Sequence, residues 1–191
     1  MAIRVDVYTN GGMASGLLAR ACPLREALFA EDRLQVDQSV WQGLEDRAPR
    51  PAGTVNIATD DILFAIADDE PDPPIHAAWH HVVLDSGPYT LEGELATMPG
   101  FDPGRSLARP SGEFVLLRDV RLSLRGHPEA GVSVGDHALV NRYAVEAIHA
   151  DLMLGFFFPG AAMIVTSPSA GVAVSEPVGG VAVAEPVGGG A

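Results

Sequence analysis

The fold of this chain is decided by the stretch IRVDVYTNGGMASGLLA at residues 3–19. Its first residues alternate apolar and polar side chains, which is the period of a β-strand with one buried face. Asn10, Gly11 and Gly12 follow. Asn-Gly between two apolar runs is a strong hairpin signal, because glycine supplies the positive φ that the turn needs. The stretch therefore predicts a β-hairpin near the start of the chain.

The same pattern returns as HHVVLDSGPYTLEGELA at residues 80–96, at an offset of 77 that aligns Gly16 with Gly93. The offset then grows to 83, which requires the small insertions that surface loops tolerate. The sequence thus predicts two copies of one β-rich unit. Further aligned pairs are Leu34 with Phe114, Val40 with Val120, Ile57 with Val140 and Ile62 with Val145.

The best single strand in the sequence is FVLLRDVRLSL at residues 114–124. Its apolar residues do not alternate cleanly, and a β-bulge near Asp119 would restore the phase. Short helical turns are expected at residues 24–29, where apolar side chains have helical spacing, and at residues 102–107, where Asp102 can cap a turn that begins with Pro103.

An acidic, proline-rich segment at residues 68–74 has little capacity for helix or strand and predicts a linker. It separates two units, residues 1–67 and 75–165, from which a tail at 166–191 extends. Each unit is small for an independent hydrophobic core, so we expect the two to pack together or onto other subunits. The carboxylates at 60–61 and 68–70 are expected to form a solvated acidic rim.

Residues 152–165, LMLGFFFPGAAMIV, form an uncharged run. A membrane-spanning helix needs about 20 residues, and glycine and proline interrupt this run. The run is typical of a buried final strand, of an oligomer interface, or, least of all, of a membrane-surface contact. Because a small barrel can hardly bury three consecutive phenylalanines, we take Phe156, Phe157 and Phe158 as candidate protein-interaction residues.

The tail contains a nine-residue repeat, VAVSEPVGG at 172–180 and VAVAEPVGG at 181–189. The repeat is typical of a low-complexity tail. A more specific but less favoured interpretation is a peptide that adds a β-strand to a sheet edge and gains avidity from repetition. In that second interpretation the interacting residues are Val172, Val174, Val181 and Val183.

Residues 79–150 carry four short motifs in order: YTLEGEL at 89–95, PGRSL at 103–107, EFVLLRDV at 113–120 and LVNR at 139–142. In these motifs the segment resembles a family of bacterial domains of unknown function that have a small Sm-like β-barrel. Residues 3–66 look like a diverged copy that lacks the V-N-R element. The resemblance implies an all-β fold of two tandem Sm-like barrels, with short helical turns, a hydrophobic C-terminal extension and the repetitive tail. It also implies packing into assemblies, and it implies no reaction.

The charge balance argues against nucleic acid and anionic membranes as partners. The chain has 25 acidic and 12 basic residues, a net charge of −13, whereas binding to phosphates requires positive charge. Sm-like RNA binders carry contact residues where this chain has Arg118, Asp119, Asn141 and Arg142, but the positive field that RNA needs is missing. We therefore expect no nucleic-acid partner.

Catalytic signatures such as a P-loop, GxSxG, HExxH or CxxC are missing from the sequence. The single cysteine, Cys22, cannot form an internal disulfide or a structural zinc site. His80 and His81 would point to opposite faces of a strand, so they cannot chelate one ion. We predict no enzyme, no cofactor and no metal site. The N-terminus lacks the apolar stretch of a signal peptide, so we expect a cytoplasmic protein.

These features predict a non-catalytic assembly or scaffold protein. It would bind copies of itself or a larger partner through sheet edges, the segment of residues 156–158 and the tail. The alternative is a small-ligand or regulatory binding module. Its site would be a cleft between the two units lined by Trp41 and Trp79, since ligand sites often lie at domain interfaces.

Overall fold

The computed structural model describes residues 2–69, 78–97, 112–127, 132–150, 154 and 156–165. Within these ranges eleven strands form one sheet, so the prediction of an all-β fold is confirmed. The predicted turn at residues 102–107 lies outside the described residues. The strands are β1 (Arg4–Thr9), β2 (Gly12–Leu18), β3 (Arg33–Gly43), β4 (Arg50–Ala58), β5 (Ile62–Ala67), β6 (Ala78–Ser86), β7 (Tyr89–Thr97), β8 (Phe114–Leu124), β9 (Ser133–Asn141), β10 (Ala147–Ala150) and β11 (Ala162–Val165).

Two short helical elements complete the described part of the fold. Helix α1 spans Leu24–Ala30, where a helical turn is predicted, and a 3-10 turn at Thr59–Asp61 joins β4 to β5. The hairpin predicted from residues 3–19 is present, because β1 pairs antiparallel with β2 and Thr9 lies opposite Gly12. Local sequence signals therefore predict α1 and the first hairpin correctly, whereas the 3-10 turn is seen only in the structure.

The strand order is β11-β10-β6-β7-β8-β9-β5-β1-β2-β3-β4. Strands β1–β5 form the first half and β6–β10 the second half. In each half four consecutive strands form a meander, and the fifth returns to pair with the first. The halves join where β9 pairs antiparallel with β5, a contact that we call the seam. At the ends of the sheet lie β4 and β11, and β11 pairs parallel with β10.

The ladders test the sequence alignment of the two halves. Leu34 lies opposite Ile57 in the first half, and Val115 lies opposite Val140 in the second. Ile57 therefore corresponds to Val140, as the sequence predicts. The predicted alignment of Leu34 with Phe114 is wrong by one residue, because Leu34 corresponds to Val115. A slip of one residue in a strand moves every side chain to the opposite face.

A β-bulge disturbs the third strand of each half and supports this corrected correspondence, because the two bulged residues are as far apart in the sequence as Leu34 and Val115. In β8 the bulge lies at Asp119, as predicted: Arg118 pairs with His137, Val120 pairs with Gly135, and Asp119 has a φ of 52°. In β3 the corresponding residue is Gln38, with a φ of 50°. The same irregularity therefore bends both halves at the same place.

Beside each bulge the second strand carries a glycine that the sequence alignment already matched. A Cβ atom on Gly16 would lie 2.6 Å from the carbonyl oxygen of Asp37. A Cβ atom on Gly93 would lie 2.9 Å from the carbonyl oxygen of Arg118. Real Cβ atoms do not approach backbone so closely, so both bulges require glycine on the neighbouring strand.

The sheet encloses two hydrophobic cores, and each core contains residues of both halves. The first core lies under α1 and includes Phe114 and Leu139 from the second half. The second core includes Tyr8 and Phe64 from the first half. Strands near the seam therefore bury both faces, as in β8, where neighbouring residues face different cores. This is why the sequence of β8 shows a nearly continuous apolar run.

The bulges yield a first prediction. Gly16→Ala and Gly93→Ala should each lower the free energy of unfolding by about 2 kcal/mol, because the added methyl group forces the neighbouring backbone to move. Urea unfolding followed by circular dichroism measures the change. Gly43→Ala is the control, since a Cβ atom there meets its nearest neighbour at 3.7 Å and fits without displacement. Equal stability of all three variants would contradict the close approach.

Candidate functional site

The seam joins the two halves through a short antiparallel contact between β5 and β9. Phe64 lies opposite Val140, and Ala65 lies opposite Leu139. All four side chains are at most 4% exposed. The buried side chain of Asn141, at the end of β9, donates a hydrogen bond to the carbonyl oxygen of Ile62 at 3.1 Å. The fourth strand of one half is thus fixed to the fifth strand of the other.

A buried hydrogen-bond contact between a histidine and an aspartate also links the two halves. Nε2 of His137 in β9 lies 3.2 Å from Oδ1 of Asp69, and the two side chains are 5% and 13% exposed. The other carboxylate oxygen of Asp69 accepts a hydrogen bond from the backbone N–H of Leu24 at 2.8 Å. One carboxylate therefore links the start of α1 to β9.

This finding corrects part of the sequence analysis. Asp69 belongs to the carboxylates predicted to form a solvated rim, yet its side chain is only 13% exposed. Asp68 is exposed, as predicted, although its Oδ1 accepts a hydrogen bond from the backbone N–H of Arg4 at 2.7 Å. The remaining residues of the predicted linker lie outside the described part of the chain. Composition identifies a carboxylate but not the distant donor that it meets.

A cavity of about 400 Å³ opens between the two halves. Two of its lining residues, Tyr8 and Tyr89, are 6% exposed. Their rings are nearly perpendicular with centroids 5.4 Å apart, and Tyr8 stacks on Phe64 at 4.4 Å. The lining residues are Asp6, Tyr8, Met13, Gln42, Gly43, Leu44 and Arg47 from the first half and Tyr89, Leu122, Ser123, Leu124, Val132 and Ser133 from the second.

The electrostatics of this cavity keep both phenols neutral. Burial raises the pKa of Tyr89 to about 12. Burial, followed by the nearby Asp6 carboxylate, raises the pKa of Tyr8 above its ordinary value. Oδ1 of Asp6 is buried and has no hydrogen-bond partner among the described residues. The lining of the cavity therefore combines an aspartate with two tyrosines whose phenols are neutral.

The cavity is not lined by the residues that the sequence analysis proposed for a cleft. Trp41 lies in β3, where its ring is 3.7 Å from the position of a Cβ atom on Gly11. Trp79 lies in β6, under the guanidinium of Arg118 at 3.9 Å from the ring centroid. Neither ring lines this cavity, whose aromatic side chains are tyrosines. The sequence signal for these tyrosines was present, since each lies next to a hairpin turn.

The phenylalanine segment also needs correction. Phe157 is 4% exposed and Phe158 is fully buried, and both belong to the second core. Phe156 is half-buried, and its carbonyl oxygen accepts a hydrogen bond from Nη2 of Arg142 at 2.6 Å. These residues form a turn rather than a strand. A turn can direct consecutive side chains inward, so Phe157 and Phe158 serve the core and not an interface.

Three residues that the sequence analysis compared with RNA-contact positions, Arg118, Asn141 and Arg142, make contacts within the chain. Asn141 and Arg142 are 5% and 6% exposed and hold the seam and the phenylalanine turn. Nε of Arg118 donates to Glu94 at 2.6 Å. These contacts assign them structural roles. Val172, Val174, Val181 and Val183 lie outside the described residues, so the role proposed for them stays a prediction.

Within the described ranges of the chain, no group of three or more His, Cys, Asp or Glu side chains is arranged to hold a metal ion. Helix α1 is far too short to cross a bilayer, and those ranges contain no longer apolar helix that could.

Comparison with known proteins gives no relative. No protein-family model matches the chain, and neither the curated proteins nor the solved structures contain a significant match. The function must therefore be argued from the seam, the sheet edges and the cavity.

The buried tyrosines predict how stability depends on pH. The folded chain holds the phenolic protons more tightly than the unfolded chain, whose tyrosines have pKa values of about 10. The contribution of these tyrosines to the free energy of unfolding should thus be complete below that pH and be lost as the pH rises toward about 12. Urea unfolding at pH 8 to 11, with absorbance of tyrosinate at 295 nm, measures both quantities.

Tyr8→Phe serves as the matched variant in that experiment, because it removes one buried phenol and keeps the stacked ring. Its stability should depend less steeply on alkaline pH than that of the parent chain. Superimposable tyrosinate titrations of the native and urea-unfolded chains would contradict the burial of these hydroxyl groups.

Proposed function

We propose that this chain is a non-catalytic cytoplasmic assembly protein whose sheet edges pair with copies of itself or with a larger partner. The observation that carries the proposal is the seam, because there two β-rich units already associate by pairing their edges. We further interpret each half as a small Sm-like β-barrel. The identical strand order of the two halves supports this interpretation.

The outer edge of β4 is the first edge available for pairing. In strand order β4 corresponds to β9, which forms the seam, yet no described strand covers the outer side of β4. The backbone N–H of Thr59 donates to the carbonyl oxygen of Asp32 at 2.9 Å. Asp32 and Thr59 thus form a hydrogen-bonded pair, and along an antiparallel ladder such pairs alternate with pairs that are not hydrogen-bonded. Gln35 and Asn56 form the third pair after Asp32 and Thr59, so they are not hydrogen-bonded to each other. The backbone N–H and C=O of Asn56 therefore point away from β3.

The seam shows the same geometry in use. The backbone N–H of Arg142 donates to the carbonyl oxygen of Glu113 at 2.8 Å, and the pair Leu116–Leu139 lies three positions along that ladder. Leu139 therefore directs its backbone groups outward, toward Ala65 of β5. Asn56 occupies the corresponding position of β4. Its backbone groups are oriented for the same kind of pairing.

The composition of β4 keeps such pairing short. Residues 50–54 are exposed, and Pro51 lacks the N–H that a continuous ladder requires. The pairing segment is thus limited to residues 54–58. Two copies with a net charge of −13 also repel each other, a repulsion that salt screens. These features favour a reversible association that strengthens with ionic strength.

The C-terminal repeats remain part of the proposal as additional strands for a sheet edge. The proposed interacting residues are Val172, Val174, Val181 and Val183. The phenylalanine segment is no longer included, because its two buried members serve the core.

The edge proposal predicts the effect of one substitution. Asn56→Pro removes a backbone N–H that points away from β3, so it should abolish association while leaving the fold intact. Asn56→Ala keeps the N–H and should associate like the parent chain. Light scattering and native mass spectrometry over a range of protein concentrations compare the three chains.

Two results would contradict the proposal. The parent chain could remain a monomer at every concentration and salt level, or Asn56→Pro could associate as strongly as Asn56→Ala. Deleting residues 167–191 tests the tail separately, and we expect it to lower the order of the assembly without unfolding the body.

The inter-half cavity supports a second candidate function, the binding of a small organic amine. Asp6 supplies a carboxylate to the lining of the cavity, and an ammonium group would pair with a carboxylate in a charge-assisted hydrogen bond. The neutral hydroxyl groups of Tyr8 and Tyr89 add hydrogen-bonding capacity, and Leu122 and Leu124 would cover an alkyl chain. The cavity is of the size that small-ligand sites have.

The amine proposal is tested with n-butylammonium and, as its uncharged counterpart, n-butanol. NMR titration should show shifts around Tyr8 and Tyr89 with the amine only. Asp6→Asn should weaken binding by about tenfold or more, because it removes the charge that the ammonium pairs with. Equal shifts with n-butanol, or unchanged binding by Asp6→Asn, would refute the proposed recognition.

A further inference from the structure

The described part of the chain ends in β11, which covers the outer edge of β10. The two strands pair in parallel, with Ala147 opposite Ala162 and Ile148 opposite Met163. The backbone N–H of Ala162 donates to the carbonyl oxygen of Glu146 at 2.8 Å. All other strand pairs in the described ranges are antiparallel. Strand β11 is therefore an addition to the pattern that the two halves share.

The ladders identify which edge β11 covers. Ala65 lies opposite Val7 in the first half, and Ile148 lies opposite Leu84 in the second half. Val7 and Leu84 correspond at the offset of 77, so Ala65 corresponds to Ile148. In the same way, Phe64 corresponds to Ala147, because they lie opposite Tyr8 and Asp85, which also correspond at the offset of 77.

This correspondence places β11 on the residues that match one side of the seam. At the seam, Phe64 and Ala65 pair with β9. In the second half, Ala147 and Ile148 pair with β11 instead. At the seam, β5 accepts the fourth strand of the other half. The matching edge of β10 is instead occupied by β11 of the same chain.

We propose that β11 is a displaceable cover that competes with β4 of a second copy for the edge of β10. This inference rests on the proposed function, and it specifies where the second copy binds and what controls its access. The expected contact is antiparallel, with β4 of the second copy pairing with β10 as β9 pairs with β5 at the seam. Ile57 of the second copy would lie opposite Ala147, and Asn56 would lie opposite Ile148.

The packing of β11 suits a cover that can leave. The strand has only four residues. Ala162 is exposed and Ile164 is 43% exposed, while Met163 packs only partly against the second core. The four paired residues of the seam, in contrast, are at most 4% exposed. Losing β11 therefore removes little apolar burial, and retaining it shields an edge that would otherwise invite pairing.

The first experiment compares chains that end at residue 161 and at residue 166, so that one lacks β11 and the other keeps it. By light scattering, the chain 1–161 should associate at about a tenfold lower concentration than 1–166, because no internal strand competes for β10. Adding Asn56→Pro to 1–161 should abolish that association, whereas adding Asn56→Ala should not.

A second experiment locks the cover without deleting it. His149 and Ile164 lie opposite each other and are both partly exposed. Cysteines at these two positions, in a Cys22→Ser background, should form a disulfide that fixes β11 on β10. The oxidised chain should remain unassociated, and dithiothreitol should restore the association of the parent chain. Mass spectrometry under non-reducing conditions confirms the crosslink.

The outcomes separate this inference from the proposed function. If the oxidised chain associates like the reduced one, or if 1–161 associates no more tightly than 1–166, the cover is refuted. The proposed function survives that result when Asn56→Pro still weakens association of the full chain. Association of 1–166 but not of 1–161 would mean that β11 itself is exchanged between copies, which also refutes the cover. If no chain associates, both proposals fail.

Discussion

The pairing of β9 with β5 is the constraint on which the rest of this structure depends. A strand edge leaves backbone donors and acceptors that must be paired, and here the edge of one half is satisfied by the other. The strands beside this contact bury both faces, so each of the two cores contains residues of both halves. The cavity between the halves is lined from both sides for the same reason.

A second constraint bends the sheet enough to enclose two cores. Each half has a bulge in its third strand and a glycine in its second strand, and the backbones approach where the glycine lies. Bulges increase the local twist and curvature of a strand. Because the arrangement occurs at matching positions, it supports the interpretation that both halves are copies of one unit.

The two ends of the sheet differ in a way that bears on function. On one end β4 presents outward backbone groups at Asn56, and on the other end β11 covers β10. An acidic surface opposes close approach of copies, so any assembly must rely on backbone pairing and on apolar side chains such as Ile57. The cavity with Asp6, Tyr8 and Tyr89 lies between the halves and is separate from both ends of the sheet.

Residue patterns alone are enough to predict the all-β class, the first hairpin, the helical turn before β3, the bulge at Asp119 and the correspondence of Ile57 with Val140. These features follow from side-chain period and turn chemistry within a few residues. Only the tertiary structure decided the register of Leu34, the burial of Phe157 and Phe158, the pairing of Asp69 with His137, and the lining of the cavity by tyrosines. Each of these depends on a partner distant in the chain, and local patterns contain no information about which partner a side chain meets.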